Sequence, residues 1–390
     1  MAKYRKSSNR KGVLFFIISA ILVVVITNII PKIQVYIKTP EAASLLIFPR
    51  DHNSHPNYNA EWWYLNLLVR TEKIDGTNIK DLGYLLSFSR IANKSGLLNS
   101  RFDQSTKSFS EKTDVGGMLT VSLIDSKYLF VDYINGSNYA TLEEKPLGAD
   151  GKRKYKLIGK TDQIGSFNLT LKERTLSKSP LLWGETTGMV EPGGTTGDCT
   201  GQISVFAPND TFYYSIPDLD ITGTITDVDG IKRNVKIGKA WIDHQWFNTR
   251  PPADWKGHYW TGFHFTESKD LYSPEPHHAV GFVTQIYNTG PKYTYWVKRN
   301  ANGTNECGTE GNITINNYGA TNYPSSWNIS LTKSSNTFIK VNGLPFSNNQ
   351  IFDPPIGPNF FEPASYFKGY LNGKSVTGLG FFETHLTKPL

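Results

Sequence analysis

At 390 residues the chain is long enough for two cores of ordinary size, and two domains are the natural division. A formal charge of +7 suits a nucleic-acid binder until it is located: Lys3, Arg5, Lys6, Arg10, Lys11, Lys32 and Lys38 carry all of it, no acid precedes residue 39, and the remainder sums to zero. Two cysteines, Cys199 and Cys307, exclude a disulfide scaffold, although they could form one bridge in an oxidising compartment.

The chain begins with the basic tail "MAKYRKSSNRK", followed by an uncharged apolar run from Val13 to Ile30. That run is long enough to span a membrane, and no small-x-small cleavage site follows it. Residues 1–44 are therefore predicted to hold a cytoplasmic tail, an uncleaved signal anchor over 13–30 and a linker. Positive charge before the span keeps the N-terminus cytoplasmic and sends the rest across. Seven N-x-S/T sequons, at Asn93, Asn135, Asn168, Asn209, Asn302, Asn312 and Asn328, suit a glycosylated lumenal domain.

The next feature is "RDHNSHPNYNAEWWYLNLLV", Arg50 to Val69. Bulky aromatics such as Trp62, Trp63 and Tyr64 are costly to leave in water and belong in a core or around a ligand. Alternation along a strand puts Glu61, Trp63, Leu65, Leu67 and Val69 on one face, with Trp62, Tyr64, Asn66 and Leu68 on the other. A carboxyl on the apolar face has its ionised form disfavoured, which makes Glu61 a candidate acid; the alternative is a strand-end Glu paired with an arginine such as Arg90. Asp51, His52 and His55 resemble a fragment of a metal site, but neither HExxH nor a cysteine pair completes it, and histidines before a strand commonly fix a loop. No metal and no cofactor is expected.

Beyond residue 45, helical periodicity is absent and short apolar runs bounded by Gly, Asn, Asp and Pro recur, among them "GYLLSFSRI" (Gly83 to Ile91), "GSFNLTLKE" (Gly165 to Glu173) and "GFVTQIY" (Gly281 to Tyr287). The predicted class is all-β, and many short strands favour barrels or sandwiches. Thr186 to Gly201, rich in glycine, reads as a loop across a barrel mouth. The double proline in "FNTRPPADWKG" cannot lie inside a central strand, and the domain boundary is placed a little before it, dividing 45–235 from 236–390.

Lys239 to Phe265 packs four tryptophans, three histidines and two aspartates into 27 residues. The pleat places Trp241, Asp243 and Gln245 on one face with His244 and Trp246 on the other, and His258, Trp260 and His264 share a face further on. If the two strands pair, an acid, imidazoles and ring faces would line one cavity, suited to protonating a substrate and steadying the resulting cation. The bland reading is an aromatic core with satisfied histidines. No phosphate loop, no GxSxG elbow and no histidine-activated cysteine is present.

Three of these segments carry a family resemblance. "PRDHNSHPNYNAEWWYLNLLV" resembles the opening signature of the hydroxyneurosporene synthase (carotenoid 1,2-hydratase) and AttH-like family. "GKAWIDHQWF" is similar to its mid-chain motif, and "YFKGYLNGKSVTGLGFFETH" to its C-terminal elements. Gln245 and Lys368 stand where the family pattern has glutamates. The resemblance implies two lipocalin-like β-barrel domains packed together and an apolar ligand, with hydratases and cyclising enzymes of polyketide pathways among its members.

The expected function is a hydratase or cyclase acting on an isoprenoid or polyketide alkene. Asp243 is the favoured proton donor, with Trp241 and Trp246 flanking it, His244 relaying the proton and Glu61 the next candidate. Trp62, Trp63, Tyr64, Trp241, Trp246, His258, Trp260 and His264 are the expected substrate-binding residues. The alternatives are a non-catalytic carrier of a hydrophobic ligand and a structural module on a membrane stalk. With one span over 13–30, protease added to the extracytoplasmic side of sealed, oriented vesicles digests residues 45–390; digestion only from the cytoplasmic side would contradict this topology.

Overall fold

The computed structural model describes residues 48–174, 181–182, 211–248, 253–268, 270, 272, 278–355 and 359–386. The predicted anchor, the loop Thr186 to Gly201 and Cys199 lie outside them. No helix among the described residues is long and apolar enough to cross a membrane. Apart from a 3-10 turn at Arg50–His52, the regular structure of these residues is β, in one compact unit that begins at Leu45.

The described strands form two antiparallel sheets, of twelve and eleven strands. The first runs, in spatial order, Ser108–Val115, Lys94–Asp103, Lys80–Ile91, Ala60–Lys73, Lys232–Phe247, Thr211–Thr226, Gly165–Glu173, Lys154–Thr161, Asn138–Lys145, Tyr128–Asn135 and Met118–Ile124, with Leu181–Leu182 beside Thr211–Thr226. The second runs Asn305–Gly308, Gly290–Arg299, His278–Tyr287, Trp255–Thr266, Lys374–Leu386, Ala364–Leu371, Asn336–Pro345, Pro324–Lys333 and Glu310–Tyr318. Ile351–Phe352 and Phe360–Phe361 pair off this path.

The plan is the same in both: the first strand of each sheet pairs with its last, and short hairpins lead away on either side. Lys232–Phe247 closes the first sheet along its whole length, and the chain changes sheet between Phe247 and Trp255. The division expected near residue 235 therefore falls inside a strand; the double proline marks the crossing more closely.

Each sheet curls into a half-barrel. In the first, the two ends meet through side chains: the Tyr133 hydroxyl donates to the Asp114 carbonyl at 2.9 Å and accepts from the Gly117 N–H at 3.0 Å. Asn135 Nδ2 adds a bond to Asp114 Oδ1 at 2.6 Å. In the second, Trp296 Nε1 reaches the Glu310 carbonyl at 3.0 Å.

Three apolar layers follow from the pleat. Trp63, Leu65, Leu67 and Val69 point into the first curl and are fully buried. Tyr259, Phe263, Phe265, Trp296, Trp327 and Phe382 fill the second. Between the sheets lies a mixed layer, with Leu68, Phe102, Tyr213 and Trp241 from the first and Trp260, Val283, Tyr295, Leu379 and Phe381 from the second.

Replacing Tyr133 with Phe leaves the Gly117 N–H and the Asp114 carbonyl without their partner, at a cost of about 1–3 kcal/mol. Denaturant unfolding should register that loss with an unchanged slope; a stability equal to wild type would show that the ends of the sheet do not depend on this bridge.

Candidate functional site between the sheets

Cross-strand register decides which side chains meet, because directly opposed residues of an antiparallel pair project to the same face. In the first sheet Glu61 opposes Trp246, Trp63 opposes His244 and Tyr64 opposes Asp243. Glu61, Trp63, His244 and Trp246 therefore point into the first curl, whereas Tyr64, Trp241 and Asp243 face the second sheet. The sequence places these residues a few positions apart; the pleat sends them to opposite sides of one sheet.

Inside the curl, Glu61 is fully buried and saturated with donors. It accepts from Ser54 Oγ at 3.1 Å, from the His55 backbone N–H at 3.0 Å, from His55 Nδ1 at 2.8 Å, from Arg90 Nη2 at 2.8 Å and from His244 Nε2 at 3.0 Å. Burial alone would raise its pKa, but hydrogen bonds from His244 and His55 hold the carboxyl well below the ordinary range. Glu61 is thus an ionised, fully partnered carboxylate, not the protonated acid expected from its apolar face. The Arg90 pairing anticipated as the alternative is present.

Burial pushes His244 down to about 4, so the ring is neutral near pH 7. Its Nε2–H then donates to Glu61 while Nδ1, 3.0 Å from the Tyr214 hydroxyl, accepts; that hydroxyl in turn accepts from His52 Nδ1 at 2.7 Å. Rings close the arrangement. His55 stacks on Trp246 with centroids 3.8 Å apart, Phe212 covers the other side of Trp246 at 5.3 Å, and Trp63 stacks on His244 at 4.5 Å. Burial opposes charge on His55, but hydrogen bonds to Asp51 and Glu61 raise its pKa, which favours a cation over the indole. Residues 50–59 are in this way clasped to the first half-barrel, and His55 and Glu61 are the clasp.

The layer between the sheets has a different chemistry. Asp243 is buried and accepts from the Ser215 hydroxyl, from Trp241 Nε1 at 2.6 Å and from the Tyr213 hydroxyl. Burial pushes its carboxyl up to about 7; the three hydrogen bonds pull it down, and the charge of Glu383 on the facing sheet adds to the rise. Near neutrality this group carries a transferable proton. Trp241 meets Trp260 edge-on at 5.9 Å and His264 at 6.1 Å, across the sheet boundary. The strands carrying Asp243 and His258 do not pair, as they would in a single cavity-lining hairpin; they belong to different sheets that face one another.

Further residues complete this layer. Glu362 accepts from the Tyr64 hydroxyl and from Asn66 Nδ2 at 3.1 Å, and burial raises its pKa. Glu383, opposite Trp260 on the neighbouring strand, is held low by the imidazole of His258, whose Nε2 lies 3.1 Å from Glu383 Oε1. Among the described residues, Trp260 Nε1 and Asn66 Oδ1 are buried without a hydrogen-bond partner.

Of the residues singled out in the sequence, Tyr64, Trp241, Asp243, His258, Trp260 and His264 share this layer. Trp62 packs edge-on against Phe247 at 5.1 Å, and Trp63 and Trp246 lie within the curl. Trp62 and Tyr64 therefore do not line the first barrel with Trp63. His244, on the far face of its strand, cannot relay a proton to Asp243. Tyr213, Ser215, Glu362, Glu383 and His385 were not anticipated. Glu383 and His385 had a signal, since two residues apart on a strand they share a face; the others depend on strand pairings that spacing alone does not reveal.

Against known proteins, the sequence profile of the AttH-like family matches residues 39–385. The chain belongs to the AttH-like family. No curated protein sequence matches it. The fold is shared with the crystal structure of an AttH-like protein of Nitrosomonas europaea, at 19% identity and a TM-score of 0.61, over 88% of this chain and 98% of that one. It is shared also with kievitone hydratase from Nectria haematococca, at 18% identity and a TM-score of 0.58, over 89% of this chain and 94% of that one.

Glu61→Gln removes the charge and leaves Arg90 and His55 without their anion, at about 3–5 kcal/mol. Because the folded-state pKa is depressed, this stabilisation is present above the unfolded value of about 4.3 and is lost as pH falls below it. Denaturant unfolding of wild type and variant should differ widely at pH 7, and the difference should shrink steadily as pH falls below about 4; a constant difference would contradict the ionised state.

Proposed function

We propose that this protein is a hydratase-type enzyme acting on a hydrophobic alkene, of isoprenoid or polyketide type, bound between two lipocalin-like half-barrels. The observation that carries the reading is Asp243: a buried carboxyl brought to about 7, on an aromatic layer that also holds unpartnered polar atoms. Kinship in fold with a hydratase supports the reaction class.

An unactivated double bond is a weak base, and its protonation calls for a neutral carboxylic acid in a poorly hydrated site. Asp243 donates its proton to one alkene carbon, and the cation forms on the other. Trp260 and Trp241 offer ring faces to that charge, each contact worth about 2 kcal/mol when desolvated. Water adds to the cation, and the Asp243 carboxylate takes back the proton that the water releases. In a cyclising relative of this reaction an internal nucleophile replaces water. Ser215, Trp241 and Tyr213 hold the carboxyl in one orientation throughout.

The same proposal places the enzyme outside the cytoplasm behind the 13–30 anchor. The disulfide at Cys307 supports an oxidising compartment, and the exposed sequon residues Asn93, Asn168, Asn302, Asn312 and Asn328 are open to glycosylation.

Asp243→Asn keeps the shape and removes the proton. With a panel of isoprenoid and polyketide alkenes as substrates, turnover should fall about a hundred- to ten-thousandfold while ligand binding persists. Wild-type turnover should be flat below about pH 7 and fall tenfold per unit above it, as Asp243 deprotonates. A variant with wild-type turnover would place the acid elsewhere.

A further inference from the structure

We infer that His258, Glu383 and His385 form a binding site for a divalent transition metal of the zinc class, on the face of the second sheet that looks towards the first. His258 and His385 are direct cross-strand partners on Trp255–Thr266 and Lys374–Leu386, and Glu383 stands two residues before His385 on the same face. One nitrogen of each ring and one oxygen of Glu383 all lie within 4.8 Å of one another. Glu383 Oε1 is 3.1 Å from His258 Nε2 and 3.8 Å from His385 Nδ1. Tetrahedral zinc, with nitrogen and oxygen bonds of about 2.0–2.2 Å, sets its donors about 3.4 Å apart, midway between these two separations. Two histidines and one glutamate are a donor set of catalytic zinc, which leaves a position for water.

A second trio, His55, Glu61 and His244, is equally compact, and the comparison separates the two. At Glu61 the place of a cation is filled: Arg90 Nη2 lies 2.8 Å from the carboxylate, and every oxygen already accepts from protein donors. Among the described residues, the ion-pair partners of Glu383 are the two imidazoles, and further groups that feel its charge, Glu362 and Asp243 among them, are carboxyls and not cations. His258 is paired on both sides, with Gln285 and His385, while Glu383 and His385 pair with Trp260 and His258 and are flanked on the other side by the Phe361 to Thr384 pair. Aromatic walls flank it: Trp255 lies 6.3 Å from His258 and 6.2 Å from His385, and Phe360 stacks on His385 at 6.4 Å. The trio is half-buried, and an aromatic surround of this kind limits solvent access and so strengthens ligation. If the hydratase reading holds, water on this metal, with its pKa lowered to about 7, stands on the layer where the reaction consumes it.

The test reads metal alone, without substrate. Untagged full-length protein, stripped with chelator and titrated with Co²⁺ and then Zn²⁺ near neutral pH, should bind one equivalent per chain, with the visible absorption of low-coordinate cobalt. Glu383→Gln and His385→Ala should each weaken binding by more than the roughly 10- to 100-fold that loss of an outer-sphere partner causes, with circular dichroism unchanged. His258→Gln serves where either variant fails to fold, and His278→Ala should bind as wild type. Asp243→Asn, expected to lose turnover, should keep its metal, so the two readings fail separately. No stoichiometric cobalt or zinc, or affinity unchanged in the ligand variants, would overturn the site.

Discussion

The pairing of each sheet's first strand with its last is the constraint on which the rest of this structure depends. It brings Ala60–Lys73 against Lys232–Phe247 and Trp255–Thr266 against Lys374–Leu386. These four strands hold nearly all of the chemistry-bearing residues, and the pairing puts them at the centre of their sheets, away from frayed edges. The hairpins on either side can vary in length and polarity without moving Tyr64 from Asp243 or Trp260 from Glu383. Long-range pairing of this kind is slow to form and rigid once formed.

Two carboxylates of the first sheet show how the pleat divides labour within one pair of strands. Glu61 and Asp243 are both buried, yet one is driven down and the other up. The difference lies in their partners. Glu61 meets Arg90 and two imidazoles, which stabilise its charge and make it a clasp for residues 50–59. Asp243 meets a hydroxyl, an indole and a phenol, which orient it but supply no compensating charge, so the cost of burial prevails.

Much of this was legible in the sequence. Alternation of apolar residues and the frequency of turn residues specify strands, and the run from Lys239 to Phe265 marks the chemistry-bearing segment. Alternation also places Asp243 and His244 on opposite faces. What spacing cannot supply is the partner of each face. Glu61 reads in the sequence either as an acid in a greasy pocket or as a partner of Arg90, and strand register decides by setting Arg90, 29 positions on, opposite it. The two strands rich in Trp and His look like a hairpin until the double proline between them is seen as the crossing from one sheet to the other. Glu362 and Glu383, more than a hundred residues from Asp243, reach the same layer only through the second sheet's closure.

The central claim is that Asp243 is a carboxylic acid poised near neutrality between the sheets. Infrared titration of protein with ¹³C-labelled aspartate, compared with Asp243→Asn, tests it directly. The account predicts two late-titrating aspartate bands, Asp218 at about 6 and Asp243 at about 7, of which only the second is missing in the variant. A spectrum in which every aspartate has ionised by about pH 5, near the ordinary range, would contradict it.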